Sequence, residues 1–177
     1  MTAADVATLL QSEYAAAVTG VAQDGPDLSV GVDPARLVEV CMFLRDDPRL
    51  RFEILNDVSG VDYLETDPKK AAKAGFEPHV EVVYHLSSFT FPGRRFTLKV
   101  VLSRWKDDRP GELPEVPSLC GVWRTADWQE REVYDLVGVR FLGHPDLTRI
   151  LMNDDWVGHP LRKDYEFPLE YHGIRCR

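Results

Sequence analysis

Two β-type runs joined by a link of hairpin length constrain the fold more than any other feature of this sequence. The runs cover residues 79–88 and 96–104, and the link at 88–95 contains Pro92-Gly93. Apolar and polar residues partly alternate in the first run, and β-branched residues are frequent in the second. The pattern therefore predicts an antiparallel strand pair at the centre of a sheet.

Local signals place two helices and two further strands before this pair. Residues 3–18 are rich in alanine and precede Gly20, which suits a helix C-cap, so a first helix is predicted there. Asp24-Gly25-Pro26 indicates a turn before a short strand at 28–32. Asp33-Pro34 is typical of a helix start and predicts a second helix from 34 to about 46. A further β-type run covers 52–63.

A third helix is predicted from about Asp127 to Gly138, with one carboxylate in an unfavourable position. At 100° per residue, Glu132 falls on the border of the apolar half, where an ionised carboxylate is costly unless it is paired. We therefore expect Glu132 to bind an arginine and to fix how the following segment leaves the helix. Arg131 and Asp135, at i and i+4, are expected to form an ordinary surface ion pair. The predicted apolar half comprises Trp128, Gln129, Val133, Leu136 and Val137, the polar half Glu130, Arg131, Tyr134 and Asp135, and the candidate arginines are Arg140, Arg149 and Arg162.

The chain after Gly143 has a different character. Residues 145–152 could form one or two helical turns, whereas 153–165 show neither helical nor strand periodicity. This stretch is too apolar for a disordered tail and too irregular to build a core, so it should lie across its own domain or a partner. The predicted fold class is α+β: residues 1–143 form a small, mainly antiparallel or mixed sheet with helices packed on it. Residues 144–177 form an extended, irregular, partner-binding segment.

Composition and missing motifs argue against several function classes. The net charge of −8 disfavours binding to nucleic acid or anionic lipid, which requires surplus Lys and Arg. The three cysteines are far apart, without spacing typical of zinc or iron–sulfur ligands, and no glycine-rich phosphate loop is present. No apolar run approaches the roughly 18 residues that span a bilayer. We therefore expect no nucleotide, metal or redox cofactor in this chain and no membrane span.

One alternative is a stand-alone hydrolase that uses the acidic cluster on the third helix. Glu130, Glu132 and Asp135, with His144 and Asp146 nearby, could provide a metal site or a general acid and base. However, Glu130 and Glu132 should point about 200° apart on a helix, so they cannot share one ligand. The histidines are expected to be structural or solvated.

Three linked blocks resemble the family of the C subunit of NADH:quinone oxidoreductase, the respiratory complex I. They are Trp128-Gln-Glu-Arg-Glu-Val-Tyr-Asp-Leu-Val-Gly138, Phe141-x-Gly-His-Pro-Asp-Leu-x-Arg-Ile-Leu151 and Asp155-Trp-x-Gly-His-Pro-Leu-Arg-Lys-Asp-Tyr165. A softer likeness extends from about residue 50 to 168. The characteristic residues that match are Glu130, Arg131, Glu132, Tyr134, Asp135, His144, Pro145, Asp146, Arg149, Trp156, Gly158, Pro160, Leu161, Arg162, Lys163 and Asp164.

The resemblance implies a non-catalytic subunit in the peripheral arm, on the cytoplasmic side of the bacterial membrane. It also implies that the chain binds no flavin, iron–sulfur cluster, NADH or quinone itself and contacts the quinone-site (D) subunit and neighbouring iron–sulfur subunits. Membrane-bound hydrogenases and ferredoxin:quinone reductases contain similar subunits, so membership of such a complex remains an alternative. Because aromatic and arginine anchors dominate interface energies, we expect Trp156, Arg162, Lys163 and Asp164 to contact partners.

Overall fold

A five-stranded mixed sheet lies at the centre of the computed structural model, which describes residues 1–24 and 27–176. The strand order is β1-β2-β5-β4-β3, with β2 and β5 parallel and the other neighbours antiparallel. The predicted central hairpin is confirmed as β4 and β5, and the α+β class is confirmed with it. The strands are β1 Val18–Asp24, β2 Asp27–Val32, β3 Ile54–Tyr63, β4 His79–Ser87 and β5 Arg95–Ser103.

In the described part of the chain, four α-helices accompany the sheet: α1 Ala3–Glu13, α2 Leu37–Asp46, α3 Pro68–Ala71 and α4 Ala126–Leu136. The second predicted helix is confirmed, with a 3-10 turn at Pro34–Arg36 before α2 and the Asp33 side chain accepting a hydrogen bond from the Ala35 N–H. None of the described helices combines the length and apolar character needed to cross a bilayer.

The first helix is shorter than predicted. It ends at Glu13, and Gly20 lies inside β1 rather than at a helix end. Pairing of β1 with β2 outweighs the helix propensity of alanine, which amounts to less than about 1 kcal/mol per residue. The turn predicted before the strand at 28–32 includes Gly25 and Pro26, which lie outside the described residues.

The hydrophobic core covers one face of the sheet. On β4, Val80, Val82 and Tyr84 are fully buried, whereas His85 on the opposite face is exposed, as the alternation predicted. Residues of α1, α2 and α4 complete this core. The opposite face, which includes His85 and Arg95, is open.

Short strands that sequence periodicity did not reveal organise the region after the sheet. β6 Glu115–Pro117 pairs in parallel with β7 Arg140–Leu142, and β8 Glu170–Tyr171 forms a hairpin with β9 Ile174–Arg175. Two or three residues are too few to show a period. The expected helical turns within 145–152 are wrong, because this stretch contains no helix and consists of a turn, a bend and irregular backbone.

Candidate functional site

Helix α4 and the segment that follows it carry all the characteristic residues, and burial along α4 differs from the prediction. Glu130 and Asp135 are fully buried, whereas Trp128 is 66% exposed. The Trp128 ring centroid lies 5.2 Å from the guanidinium carbon of Arg131. The helical plot assumed one buried face. In the structure the loop at 118–120 and the C-terminal segment, defined as residues 144–177, cover α4 from the other side as well.

Glu130 holds the loop that precedes α4. One carboxylate oxygen accepts the Leu119 N–H at 2.7 Å, and the other accepts the Ser118 hydroxyl at 2.7 Å. Burial raises the pKa of Glu130, and these hydrogen bonds oppose the rise. The side chain therefore closes a loop and does not face solvent.

Glu130 also belongs to a cluster with metal-ligand geometry. Atoms of Cys120, Glu130 and His144 that could bind a metal lie within 4.8 Å of one another. However, Nδ1 of His144 accepts the Asp146 N–H at 3.0 Å, so Nε2 carries the proton and donates to the Asp127 carbonyl at 3.0 Å. In this arrangement neither ring nitrogen of His144 offers a free lone pair to a metal, and the Cys120 thiol donates to Glu130 at 3.6 Å.

The Glu132 side chain is exposed and forms no hydrogen bond or ion pair with any described residue. The prediction that it binds an arginine is therefore wrong. Glu130 and Glu132 do lie on different sides of α4, as predicted, so they form no acid–base pair.

Asp135 fixes the start of the C-terminal segment instead. Its Oδ1 lies 2.6 Å from Nη1 of Arg149, and its Oδ2 accepts the backbone N–H groups of residues 150–152 at 2.7–3.0 Å. Burial acts to raise the pKa of Asp135, but these hydrogen bonds outweigh it and hold the pKa below its usual value. The predicted pair of Arg131 with Asp135 is wrong, because Arg131 donates to the Thr148 hydroxyl and carbonyl.

Four charged residues, which we call the anchor network, join the segment to the sheet: Asp62, Arg104, Arg162 and Asp164. Arg104 donates to both oxygens of Asp62 at 2.7 and 2.9 Å and to Asp164 at 2.7 Å. Arg162 is 6% exposed and donates to the carbonyls of residues 137–138 at the end of α4. Burial lowers the pKa of Arg162, and pairing with Asp62 raises that of Arg104.

Two residues expected to contact partners therefore have internal roles. Arg162 and Asp164 are occupied within the chain, whereas the Lys163 side chain is exposed and its N–H binds Asp62 at 2.8 Å. Asp62 and Arg104 were missed because they lie far away in the sequence. No local pattern marks them as partners of the segment.

Gly138 ends α4 and accommodates His159. Its φ of 77° favours glycine, as predicted for a helix end, and a Cβ atom there would overlap the His159 ring. The Nδ1–H of His159 donates to the Asp135 carbonyl at 2.9 Å. Burial lowers the pKa of His159, so the neutral ring is favoured when the segment is docked.

Acid should loosen the C-terminal segment through His159. The pKa of His159 in the folded chain lies below the unfolded value of about 6.5. The neutral ring therefore contributes its full stabilisation of the docked segment above pH 6.5. This contribution is lost as the pH falls through the folded pKa. We expect proteolysis within the segment to accelerate from pH 7 to 5. In His159→Asn, which keeps a donor but does not titrate, the acceleration should disappear. It should persist in His85→Asn on the open face, and an unchanged profile in His159→Asn would contradict this assignment.

The other characteristic residues surround these contacts. Tyr134 and Pro160 are half-buried, Pro145, Asp146 and Lys163 are exposed, and the Gly158 carbonyl accepts a hydrogen bond from Arg149. Trp156 is half-buried and packs on Tyr171, with ring centroids 4.8 Å apart. Large exposed apolar side chains follow along the segment. We call these the apolar strip: Leu151, Val157, Leu161, Phe167, Leu169 and Ile174, each at least 49% exposed.

Comparisons with known proteins match almost the whole chain. A family model described as "Respiratory-chain NADH dehydrogenase, 30 Kd subunit" matches residues 30–171. A protein named as the C subunit of NADH-quinone oxidoreductase, from Salinispora arenicola, is 45% identical over 175 residues, which is 96% of this chain and 64% of the relative. A protein of the same name from Roseiflexus sp. is 49% identical over 171 residues, which is 95% of this chain and 88% of the relative.

Solved structures agree with this match. "Nqo5 of the trypsin-resistant fragment (1-134)" has a TM-score of 0.61 and 29% identity, covering 80% of this chain and 98% of that one. A chain of the membrane-bound sulfane sulfur reductase, an archaeal respiratory membrane complex, has a TM-score of 0.66 at 20% identity and shows the fold alone. The chain belongs to the family of the 30 kDa subunit of respiratory-chain NADH dehydrogenase.

Proposed function

We propose that this chain is a connecting subunit in the peripheral arm of an NADH:quinone oxidoreductase, on the cytoplasmic side of the membrane. It joins the quinone-site (D) subunit to neighbouring iron–sulfur subunits, while those and other partners hold the FMN, clusters, NADH and quinone. The chain itself contributes no catalytic residue. The observation that carries this proposal is the apolar strip on the C-terminal segment.

The strip has the properties of an interface. Six large apolar side chains are exposed within one segment of 24 residues, and such a concentration is more typical of an interaction site than of free surface. Asp135 and the anchor network hold the segment in place, so its backbone need not become ordered on binding, which favours affinity. The segment therefore offers a preformed apolar surface to another protein.

The proposal also divides the chain into two parts. Residues 1–143 form the α+β domain and residues 144–177 form the partner-binding segment. The solved Nqo5 fragment, which is named as trypsin-resistant, corresponds to 80% of this chain and is compatible with a compact domain and a separate segment.

A charge placed in the apolar strip should prevent assembly without unfolding the chain. Val157 and Leu169 are 86% and 74% exposed, so Val157→Asp and Leu169→Asp should leave the melting temperature of the purified chain unchanged. In pull-downs from membranes, both variants should recover at least tenfold less of the quinone-site and iron–sulfur subunits, because a carboxylate would be buried unpaired.

Met42→Asp, on the exposed side of α2, provides the matched control, since Met42 is 46% exposed and lies outside the strip. It should assemble normally. If the strip variants recover partners as well as the wild-type chain does, the proposed interface is wrong.

A further inference from the structure

A groove crosses the open face of the sheet, away from the C-terminal segment. Its volume is about 860 Å³. It runs from Ile54 and Asn56 on β3 across β4 and β5 to Ser29 on β2, and the β4–β5 hairpin closes one end. The groove is separate from the apolar strip and from the anchor network.

The groove is cationic although the chain carries a net charge of −8. Among the described residues that line it are the cations Arg94, Arg95 and Lys99, but no aspartate or glutamate. The Arg95 side chain is exposed and forms no hydrogen bond or ion pair with any described residue. Arg94 donates to the backbone carbonyls of residues 49–50 at 2.6 and 3.0 Å, so no carboxylate balances its charge.

The carboxylates that border the groove leave this charge in place. Glu53 pairs with Arg51 at 3.1 Å and also accepts hydrogen bonds from residues 88–90 in the hairpin loop. Asp57 accepts a hydrogen bond from a neighbouring serine and keeps its charge. Oε2 of Glu81 lies 3.4 Å from Nζ of Lys99, so Glu81 offsets part of the charge of that cation. Arg94 and Arg95 therefore form no ion pair with a described carboxylate at the hairpin end.

The positions of the cations indicate the shape of the ligand. Arg95, Thr97 and Lys99 alternate with buried residues on β5 and so lie on one face. At about 3.4 Å per residue, Arg95 and Lys99 are roughly 14 Å apart along the strand. A single phosphate cannot bridge that distance, whereas side chains that alternate along an extended peptide repeat at a matching spacing.

We propose that this groove binds an extended segment of a partner polypeptide that is rich in Asp and Glu. Its carboxylates pair with Arg95 at the hairpin end and approach Lys99 further along β5. The hydroxyls of Ser87 and Thr97 and the amide of Asn56 provide neutral hydrogen-bonding groups between them. This inference rests on the proposed role as a connecting subunit and adds a second contact surface, of opposite character to the apolar strip.

Photo-cross-linking in the assembled complex tests the proposal. A photoreactive amino acid at Thr97, in the middle of the groove, should cross-link to a partner segment that contains several Asp or Glu residues, as mapped by mass spectrometry. A complex that assembles but gives no cross-link, or a cross-link to a segment without acidic residues, would overturn the proposal. If the unlabelled wild-type chain did not assemble with the other subunits at all, the proposed function would be refuted instead.

Charge reversal provides an independent arm in case the label disturbs the groove. Arg95→Glu should lower recovery of the acidic partner at least tenfold, and a lysine replacing an acidic residue of the partner segment should restore it. Arg109→Glu makes the same charge change outside the groove, at a side chain that is 69% exposed, and should have no effect. If Arg95→Glu and Arg109→Glu lowered recovery of the partner equally, the proposal would be overturned. Calorimetric binding of inorganic phosphate by the purified chain that Arg95→Glu abolishes would also overturn it, because it would identify a small anion as the ligand.

Discussion

Replacement of Asp62 by alanine is expected to lower the free energy of unfolding by about 3–5 kcal/mol, the usual effect of removing one partner from a buried ion pair. The Asp62 side chain is fully buried and accepts hydrogen bonds from Arg104 and from the Lys163 N–H. Without it, the cations Arg104 and Arg162 stay close together with less compensation. Urea denaturation followed by circular dichroism would measure the change.

Asp164→Ala is the matched control, because Asp164 binds the same arginine from the other side. Its side chain is 45% exposed, and solvent screening limits the contribution of such a pair to about 1 kcal/mol or less. A similar decrease in the free energy of unfolding in both variants would show that burial of Asp62 does not determine the strength of the anchor network.

Replacement of Asp135 by alanine should release the C-terminal segment. The carboxylate accepts three backbone N–H groups and an arginine, and loss of these buried hydrogen bonds should cost about 3 kcal/mol. Because the freed groups can reach water once the segment detaches, we expect the domain to remain folded. Hydrogen exchange at residues 150–152 and proteolysis within the segment should both become at least tenfold faster.

Glu132→Ala tests the same helix at a carboxylate without a partner among the described residues. As an exposed substitution, it should change stability by no more than about 0.5 kcal/mol and leave exchange at residues 150–152 unaltered. If Glu132→Ala released the segment and Asp135→Ala did not, the original prediction for Glu132 would be restored. The Asp135 variant should also assemble poorly, because it no longer holds the apolar strip in place.

Features that depend on neighbouring residues could be predicted from the sequence. The β4–β5 hairpin is joined by a short link, so its alternating pattern and its turn residues identified it. Gly138 ended α4 as predicted, since a helix end with φ of 77° favours glycine. The start of α2 followed from Asp33 and Pro34 in the same way.

Features that depend on distant residues could not be predicted. Asp62 is separated from Arg104 by 42 residues and from Lys163 by 101, and no local period connects them. The helical plot of α4 treated the side opposite the apolar half as solvent, so it assigned Asp135 to the surface. It therefore selected Glu132 as the carboxylate that needs a partner.

The sequence by itself determined the family, the central strand pair and the existence of an apolar, aperiodic segment that needs a surface beneath it. Only the tertiary structure decided which charged residues hold that segment in place and which apolar ones remain free for a partner. The physical reason is that strand and helix signals arise from residues close in the chain. Burial of a charge depends on every surface packed around it, and around Asp135 and Arg162 those surfaces come from separate parts of the fold.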